Sequence, residues 1–409
     1  ILRGSRFCFG GFFRSCLCYG AFSFLADKIE KEGTDLWFSH SASELLNGYK
    51  LPEEWEGRAL RKGTDTLDVW IDSGCSHRSV LKVQNGLKWP ADLYLEGSDQ
   101  HRGWFQSSLW TSMICYQEAP YKRILTHGFV VDGDGRKISK SDGKPQTADS
   151  YVKKYGADVL RLWVCSEDFR QDIPLSDEIL GQIVRTYRTL RNTLKFQLGT
   201  LCDFDEEQNG ISIERMDFID LWALSKTNQL VLEVTKCFDS YEIHKAVQLI
   251  NRYCSGVLSS TYHDIIKDRL YTLHADDPKR RSTQNSILLI FKALVKLLGP
   301  ITPFTADEAW SFFKSGKDFS EKPLLLEDWP DLESSVLSDE LVAEAQDLLD
   351  LSDSHINESL EKLREEKKIG QSLDAELELR FPSNTSIGNL LEKRAEDLAE
   401  LFIVSKVTL

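Results

Sequence analysis

Long apolar runs are missing from this 409-residue chain. None reaches the roughly 18 residues that a membrane-spanning helix needs, so no such helix is expected. Cysteine-x-x-cysteine pairs are missing too. The nine cysteines, at 8, 16, 18, 75, 115, 165, 202, 237 and 254, are scattered. That spacing indicates neither a zinc ribbon nor a disulfide framework and fits reduced thiols in a cytoplasm or an organelle matrix. Methionine is scarce, with only Met113 and Met216, and the first residue is Ile1. Basic charge is in deficit: the net charge is −14. A nucleic-acid partner needs local basic surface rather than a basic total, so the deficit does not exclude one. Internal repeats and low-complexity tracts are absent.

Hydrophobic residues make up 41% and charged residues 28%, which is ordinary for globular domains, and the length allows two or three of them. Residues 1–24 are rich in Phe, Cys, Gly and Arg without a clean period. The segment reads either as a targeting peptide, having arginine but no acids, or as a translated non-coding edge of a partial gene, and the second is preferred. A helix is expected over Leu25–Glu32, followed by an irregular charged stretch to Arg61-Lys-Gly63. Leu67–Ile71 reads as a short strand, Ala91–Leu95 as a buried strand running into Glu96-Gly97, Trp104–Tyr116 as a helix, and Arg123–Val131 as a second buried strand. Strands alternating with helices predict a parallel sheet whose ligand site lies beyond the strands' carboxyl ends, where Glu96 and His127 fall.

The texture changes after Pro174. Helical periods cover Ile179–Leu198, Asp217–Phe238, Ile243–Tyr262 and Thr283–Leu298, which predicts an α-helical bundle. Residues 331–372 are acidic and helical in character, and Ala375–Phe381 and Leu401–Val407 read as strands that could pair. Arg185, Arg188, Arg191 and Lys195 are spaced to share one helix face. Such a stripe suits either a solvated surface or an RNA backbone, which is held mainly through phosphate charge.

Two segments carry chemistry. The first is Tyr94-Leu-Glu-Gly-Ser-Asp-Gln-His-Arg-Gly-Trp104, which sets carboxylates, an amide and an aromatic wall at a strand end. The second is Lys137-Ile-Ser-Lys-Ser141, between Gly133-Asp-Gly135 and Gly143. Two ammonium groups on such a loop can stabilise charge developing on a pyrophosphate leaving group. In this order the segments resemble the nucleotide-binding half of a class I aminoacyl-tRNA synthetase, of the isoleucyl type. Asp68-Val-Trp-Ile-Asp-Ser-Gly74 resembles the segment re-entering that catalytic fold after its editing insertion. Tyr155–Trp163, Asp264–Tyr271 and Pro303–Trp310 are similar to further segments of the family and are read as structural.

The resemblance runs from about residue 27 to the last residue. It implies five parts: an irregular edge (1–24), the tail of the editing insertion (25–64), the second half of a Rossmann-like catalytic domain (65–175), an all-α anticodon-binding bundle (176–330) and a small α+β segment (331–409). It assigns Lys140 to the ATP phosphates with Lys137 assisting, Glu96, Gly97 and Asp99 to the adenylate, Gln100 to the amino-acid end, and Trp104 to the isoleucine side chain. His127 is placed near adenine or serves the fold alone, and Trp70 is a second pocket wall or a core residue. The implied reaction joins ATP, L-isoleucine and tRNA(Ile) into isoleucyl-tRNA, AMP and diphosphate. Mg²⁺ accompanies ATP, no zinc site is expected in this chain, no membrane partner is expected, and the protein is taken as a monomer. The family's His-x-Gly-His signature does not occur in the sequence. With it go groups that hold ATP from the opposite side, so negligible adenylate formation by this chain alone is expected. A non-catalytic tRNA-binding remnant, or a valine or leucine synthetase, is the alternative reading.

Overall fold

A computed structural model of the chain describes residues 17–53, 56–57, 59–63, 68–133, 135–136, 147–314, 322–331, 339–382 and 385–409. Two compact units divide it, residues 1–129 and 130–409. Helices predominate, and the described strands form three separate two-stranded parallel ladders. No described helix is long and apolar enough to cross a membrane.

In the first unit, helix α1 (Leu17–Glu32) begins inside the segment left without structure by the sequence. Ile29, Leu36 and Leu45 close a small core beneath it. Of the strand expected over Leu67–Ile71, Leu67 lies outside the described residues and Val69–Ile71 belong instead to a helix, α2 (Val69–Gly74). Val, Trp and Ile favour strands, but the Asp68 carboxylate accepts the Trp70 N–H at 2.8 Å and starts a helical turn. Gly74 lets α2 lie against α3 (Trp104–Tyr116), and Thr111 donates its hydroxyl to the Gly74 carbonyl at 2.8 Å. A Cβ on Gly74 would sit 2.9 Å from the backbone carbonyl carbon of Ser107. Gly74→Ala is therefore expected to destabilise the protein by about 1–3 kcal/mol through overpacking, as read by chemical denaturation. An unchanged midpoint would mean that the two helices separate freely.

The buried strand expected before Glu96 is β1 (Tyr94–Gly97), and it pairs in parallel with β2 (Ile124–His127). The run expected to continue to Val131 breaks at Gly128-Phe129. In the second unit, β3 (Val130–Val131) pairs with β4 (Ile173–Pro174) in a different ladder. One continuous sheet is thus not formed among the described residues.

The second unit is a helical assembly around one large apolar core. The expected helices are there with shifted ends: α6 (Asp177–Thr200), α7 (Phe218–Asp239) and α9 (Pro278–Leu298), preceded by α4 (Ala148–Tyr155) and α5 (Ala157–Ser166). Asp277 caps α9 by accepting the Lys279 N–H, and Pro278 fits the first turn, where its missing N–H costs no hydrogen bond. The helix expected over Ile243–Tyr262 is α-helical only as α8 (Ile243–Arg252), then widens to a π-helix over Tyr253–Tyr262. There the hydroxyls of Ser259, Ser260 and Thr261 donate to carbonyls five residues back.

Two segments read as structural bind each other. The half-covered face of α5 presents buried Asp158 to the start of α10 (Pro303–Lys314), where it accepts the N–H of Thr305 at 2.7 Å and its hydroxyl at 2.6 Å. Arg161 donates to the carbonyls of Pro300 and Ile301. The C-terminal part contains α11 (Asp339–Leu351), α12 (Asn357–Glu365), β5 (Glu376–Glu378), α13 (Ser386–Lys393) and β6 (Lys406–Thr408), and β5 and β6 pair in parallel.

Candidate functional site

The ladder between β1 and β2 brings predicted residues together at its carboxyl end. Gly97 is opposite His127, and Glu96 is opposite Thr126. His127 Nε2 comes within 3.9 Å of Glu96 Oε1, while its Nδ1 bonds to the Gly128 carbonyl at 2.7 Å. That bond makes Nδ1 a donor and leaves Nε2 to face the carboxylate. Both side chains remain half in contact with solvent, so the carboxylate can still receive a ligand's donors. Gly97 is buried, and a Cβ there would fall 2.8 Å from Asp99 Oδ1. The missing side chain is what allows Asp99 to fold back over the strand end.

The next turn holds the second group. Residues 98–102 form a short 3₁₀ turn that ends at Gly103. The Trp104 N–H donates to Gln100 Oε1 at 3.0 Å, so the amide is pinned by the helix start. A Cβ on Gly103 would meet Gln100 Oε1 at 2.8 Å and the Trp70 ring at 3.2 Å. Gln100, Trp104 and Trp70 thus gather around one glycine. Trp104 is half-buried and stacks on Tyr94, with centroids 4.4 Å apart and planes 10° apart, and its Nε1 donates to Ser76 at 3.1 Å. Trp70 is exposed, at 40%.

Sequence reasoning passed over Tyr94 and Ser76, which fix the Trp104 ring. Tyr94 had a signal, as the inward residue of an alternating strand next to the polar loop. Ser76 had none, because a lone serine 28 residues away is one of many. Lys137 and Lys140 lie outside the described residues.

In the second unit, Arg185, Arg188, Arg191 and Lys195 are all exposed along α6, and none forms an ion pair among the described residues. Arg191 and Lys195 also line a cleft of about 770 Å³ together with Phe204, Phe312 and Phe313. The described residues offer no cluster of three or more His, Cys, Asp or Glu side chains suited to a metal ion.

Comparison with known proteins gives two family matches, the first of which crosses the boundary between the two units. Residues 16–176 match the family of class I tRNA synthetases for isoleucine, leucine, methionine and valine, and residues 220–379 match the anticodon-binding domain of tRNA ligases. Over these stretches the chain is similar to a class I tRNA synthetase catalytic fragment and to an anticodon-binding domain. Among its homologues are isoleucine–tRNA ligases. That of Caldanaerobacter subterraneus subsp. tengcongensis is 45% identical over 384 residues, covering 93% of this chain and 40% of the relative. That of Petrotoga mobilis is 44% identical over 380 residues, covering 92% and 41%. The chain therefore spans about two fifths of the length of the relatives it matches. Among solved structures, the Agrobacterium radiobacter K84 agnB2 LeuRS in ternary complex with tRNA and LeuAMS aligns with a TM-score of 0.56. Identity there is 19%, over 71% of this chain and 35% of that one, so the likeness speaks to fold alone.

Proposed function

We propose that this chain is the ATP- and tRNA-engaging portion of an isoleucine–tRNA ligase. The whole protein would join L-isoleucine to ATP with release of diphosphate, then pass the acyl group to tRNA(Ile) with release of AMP. The observation that supports the reading best is the convergence of Glu96, Gly97, Asp99 and His127 at one ladder end, with Gln100, Trp104 and Trp70 one turn away. In this reading β1 and β2 belong to a Rossmann-like sheet, residues 65–175 are the catalytic half, 176–330 the anticodon-binding bundle, and 331–409 an α+β appendage.

The site's chemistry follows from its groups. Glu96 accepts hydrogen bonds from ribose hydroxyls or the adenine amine, and His127 Nε2 supplies a partner beside it. Gly97 leaves room for the Asp99 carboxylate over the strand end, where both would border the adenylate. Gln100, held by the Trp104 N–H, bonds the polar end of the amino acid, while Trp70 and Trp104 exclude water from its side chain. Lys137 and Lys140 neutralise charge that grows on the leaving diphosphate, a stabilisation greater in the transition state than in the ground state. Mg²⁺ would arrive with ATP and be held chiefly by its phosphates. Removing the groups that position ATP from the other side forfeits several kcal/mol, on the order of 7–11 in favourable cases. The 409-residue polypeptide alone is therefore expected to catalyse ATP–diphosphate exchange at background level, while binding a non-hydrolysable isoleucyl-adenylate mimic more tightly than its valyl or leucyl counterparts. Equal binding of the three mimics would refute the isoleucine assignment.

The α6 stripe would track the tRNA backbone. Each phosphate contact removed should lower the slope of log K against log salt by roughly 0.7–0.9. The Arg188→Ala variant is expected to show that loss in a salt titration of tRNA(Ile) binding. An unchanged slope would assign the stripe to plain solvated surface.

A further inference from the structure

The cleft beside α6 lies wholly within the second unit. Its volume of about 770 Å³ is that of a small-molecule site, for which roughly 300–1,000 Å³ is usual. Buried Leu194, Leu288 and Ala309 form the floor, so α6, α9 and α10 are already packed together beneath it. The hydroxyls of Tyr187 and Thr305 bond at 2.8 Å and tie α6 to α10. Phe313 leans on Phe291 of α9, with centroids 5.5 Å apart. Lys292 donates to Glu206 at 2.7 Å and fixes the lip that follows α6. The walls are therefore formed in advance of any ligand, which spares a ligand the cost of ordering them.

Two kinds of group are left over. Phe204 and Phe313 are half-buried and Phe312 is 64% exposed, although the floor below them is already closed. Among the lining carboxylates, Asp205 Oδ1 accepts the N–H groups of Glu207 and Gln208, and Glu206 is bonded to Lys292. Arg191, Lys195 and Glu308 have no ion-pair partner among the described residues. Two cations against one carboxylate leave a single uncompensated positive charge. That balance favours a monoanion over a cation, and over a polyphosphate that Glu308 would repel.

We propose that this cleft is a binding site for a small amphipathic monoanion. An apolar, preferably aromatic body lies among Phe204, Phe312 and Phe313, and one carboxylate or sulfonate meets Arg191 and Lys195. The site itself needs nothing of the tRNA reading. One consequence does rest on that reading: the occupant takes two of the four cations assigned to the tRNA backbone. A small organic acid would thus regulate the protein by competing with tRNA.

The test titrates the 409-residue chain with pyrenebutyrate and with its uncharged analogue pyrenebutanol, by isothermal calorimetry. One-to-one binding of pyrenebutyrate is expected, with pyrenebutanol weaker by roughly fivefold or more. Lys195→Glu and Phe312→Ala should each weaken pyrenebutyrate by about fivefold or more. Both side chains are exposed, so the variants should keep the parent's circular dichroism. Leu232→Ala, at an exposed apolar site away from the cleft, should change nothing. Cys202 reports the location, since it lines the cleft and is exposed. Bound pyrenebutyrate should slow its alkylation by iodoacetamide, read by peptide mass spectrometry, and leave exposed Cys75 and Cys115 unaffected. No binding, equal affinity for pyrenebutanol, or unaltered alkylation of Cys202 would overturn the proposal. With pyrenebutyrate saturating, the salt slope of tRNA(Ile) binding should fall by roughly 1.4–1.8, at about 0.7–0.9 for each of two contacts. Cleft binding without that fall would sustain the site and refute the α6 track for tRNA instead.

Discussion

Replacing Arg269 by methionine is expected to lower the stability of the second unit by about 3–5 kcal/mol, the usual cost of leaving buried charges without their counter-ion. Arg269 is 3% exposed and stands among three carboxylates. Its guanidinium donates to Asp217 Oδ1 at 2.9 Å and to Glu400 Oε2 at 2.8 Å, bonds Glu400 a second time through Nε, and lies 3.6 Å from Asp220 Oδ2. Glu400 belongs to the C-terminal part, so the same group fastens that part to α7. Glu400→Gln keeps the other two partners and loses only charge-assisted bonds, which predicts a smaller loss of about 1.5–3 kcal/mol. Urea unfolding followed by far-ultraviolet circular dichroism checks both. Equal losses would show that the cluster is not centred on the arginine. Arg394 adds a second tie, stacked 4.1 Å over Phe218 and bonded to Glu344 at 2.8 Å.

The pH dependence of stability should hide two opposed titrations. Burial pushes the Asp220 carboxyl up from 3.8 to about 6, against the pull of Arg269. Its folded form holds a proton more tightly than the unfolded chain, so stability falls as pH rises from about 3.8 to 6. Burial pulls the His263 imidazole down from 6.5 to about 4, with Lys267 adding to the effect. Here the unfolded chain takes the proton first, so stability present above pH 6.5 is lost as pH falls towards 4. Each is worth on the order of 3 kcal/mol, and the two oppose each other between about pH 4 and 6. Relative to wild type, Asp220→Asn should lose stability on acidification from pH 6 to 4, by on the order of 1 kcal/mol per unit, and His263→Gln should gain stability. Urea midpoints at half-unit steps measure this. Parallel profiles for all three proteins would exclude the account.

The sequence was most legible where chemistry and period coincide. Trp104–Tyr116 forms a helix with the expected ends, and Glu96 and His127 stand at neighbouring strand ends, where a polar residue closes each apolar run. It was least legible at Leu67–Ile71, where one capping carboxylate outweighed three strand-favouring side chains. The widening of the helix after Arg252, where hydroxyls bond carbonyls five residues back, is announced by no periodicity. The stacking partner and hydroxyl that hold Trp104 come from distant positions, so spacing could not disclose them.

The tie between Asp158 and Thr305 joins positions 147 apart in the chain. During synthesis, at roughly 5–20 residues per second, the first of these emerges from the ribosome about 7–30 seconds before its partner. For that interval the aspartate and its helix must wait undocked, and a chaperone that shields nascent chains would find its work there.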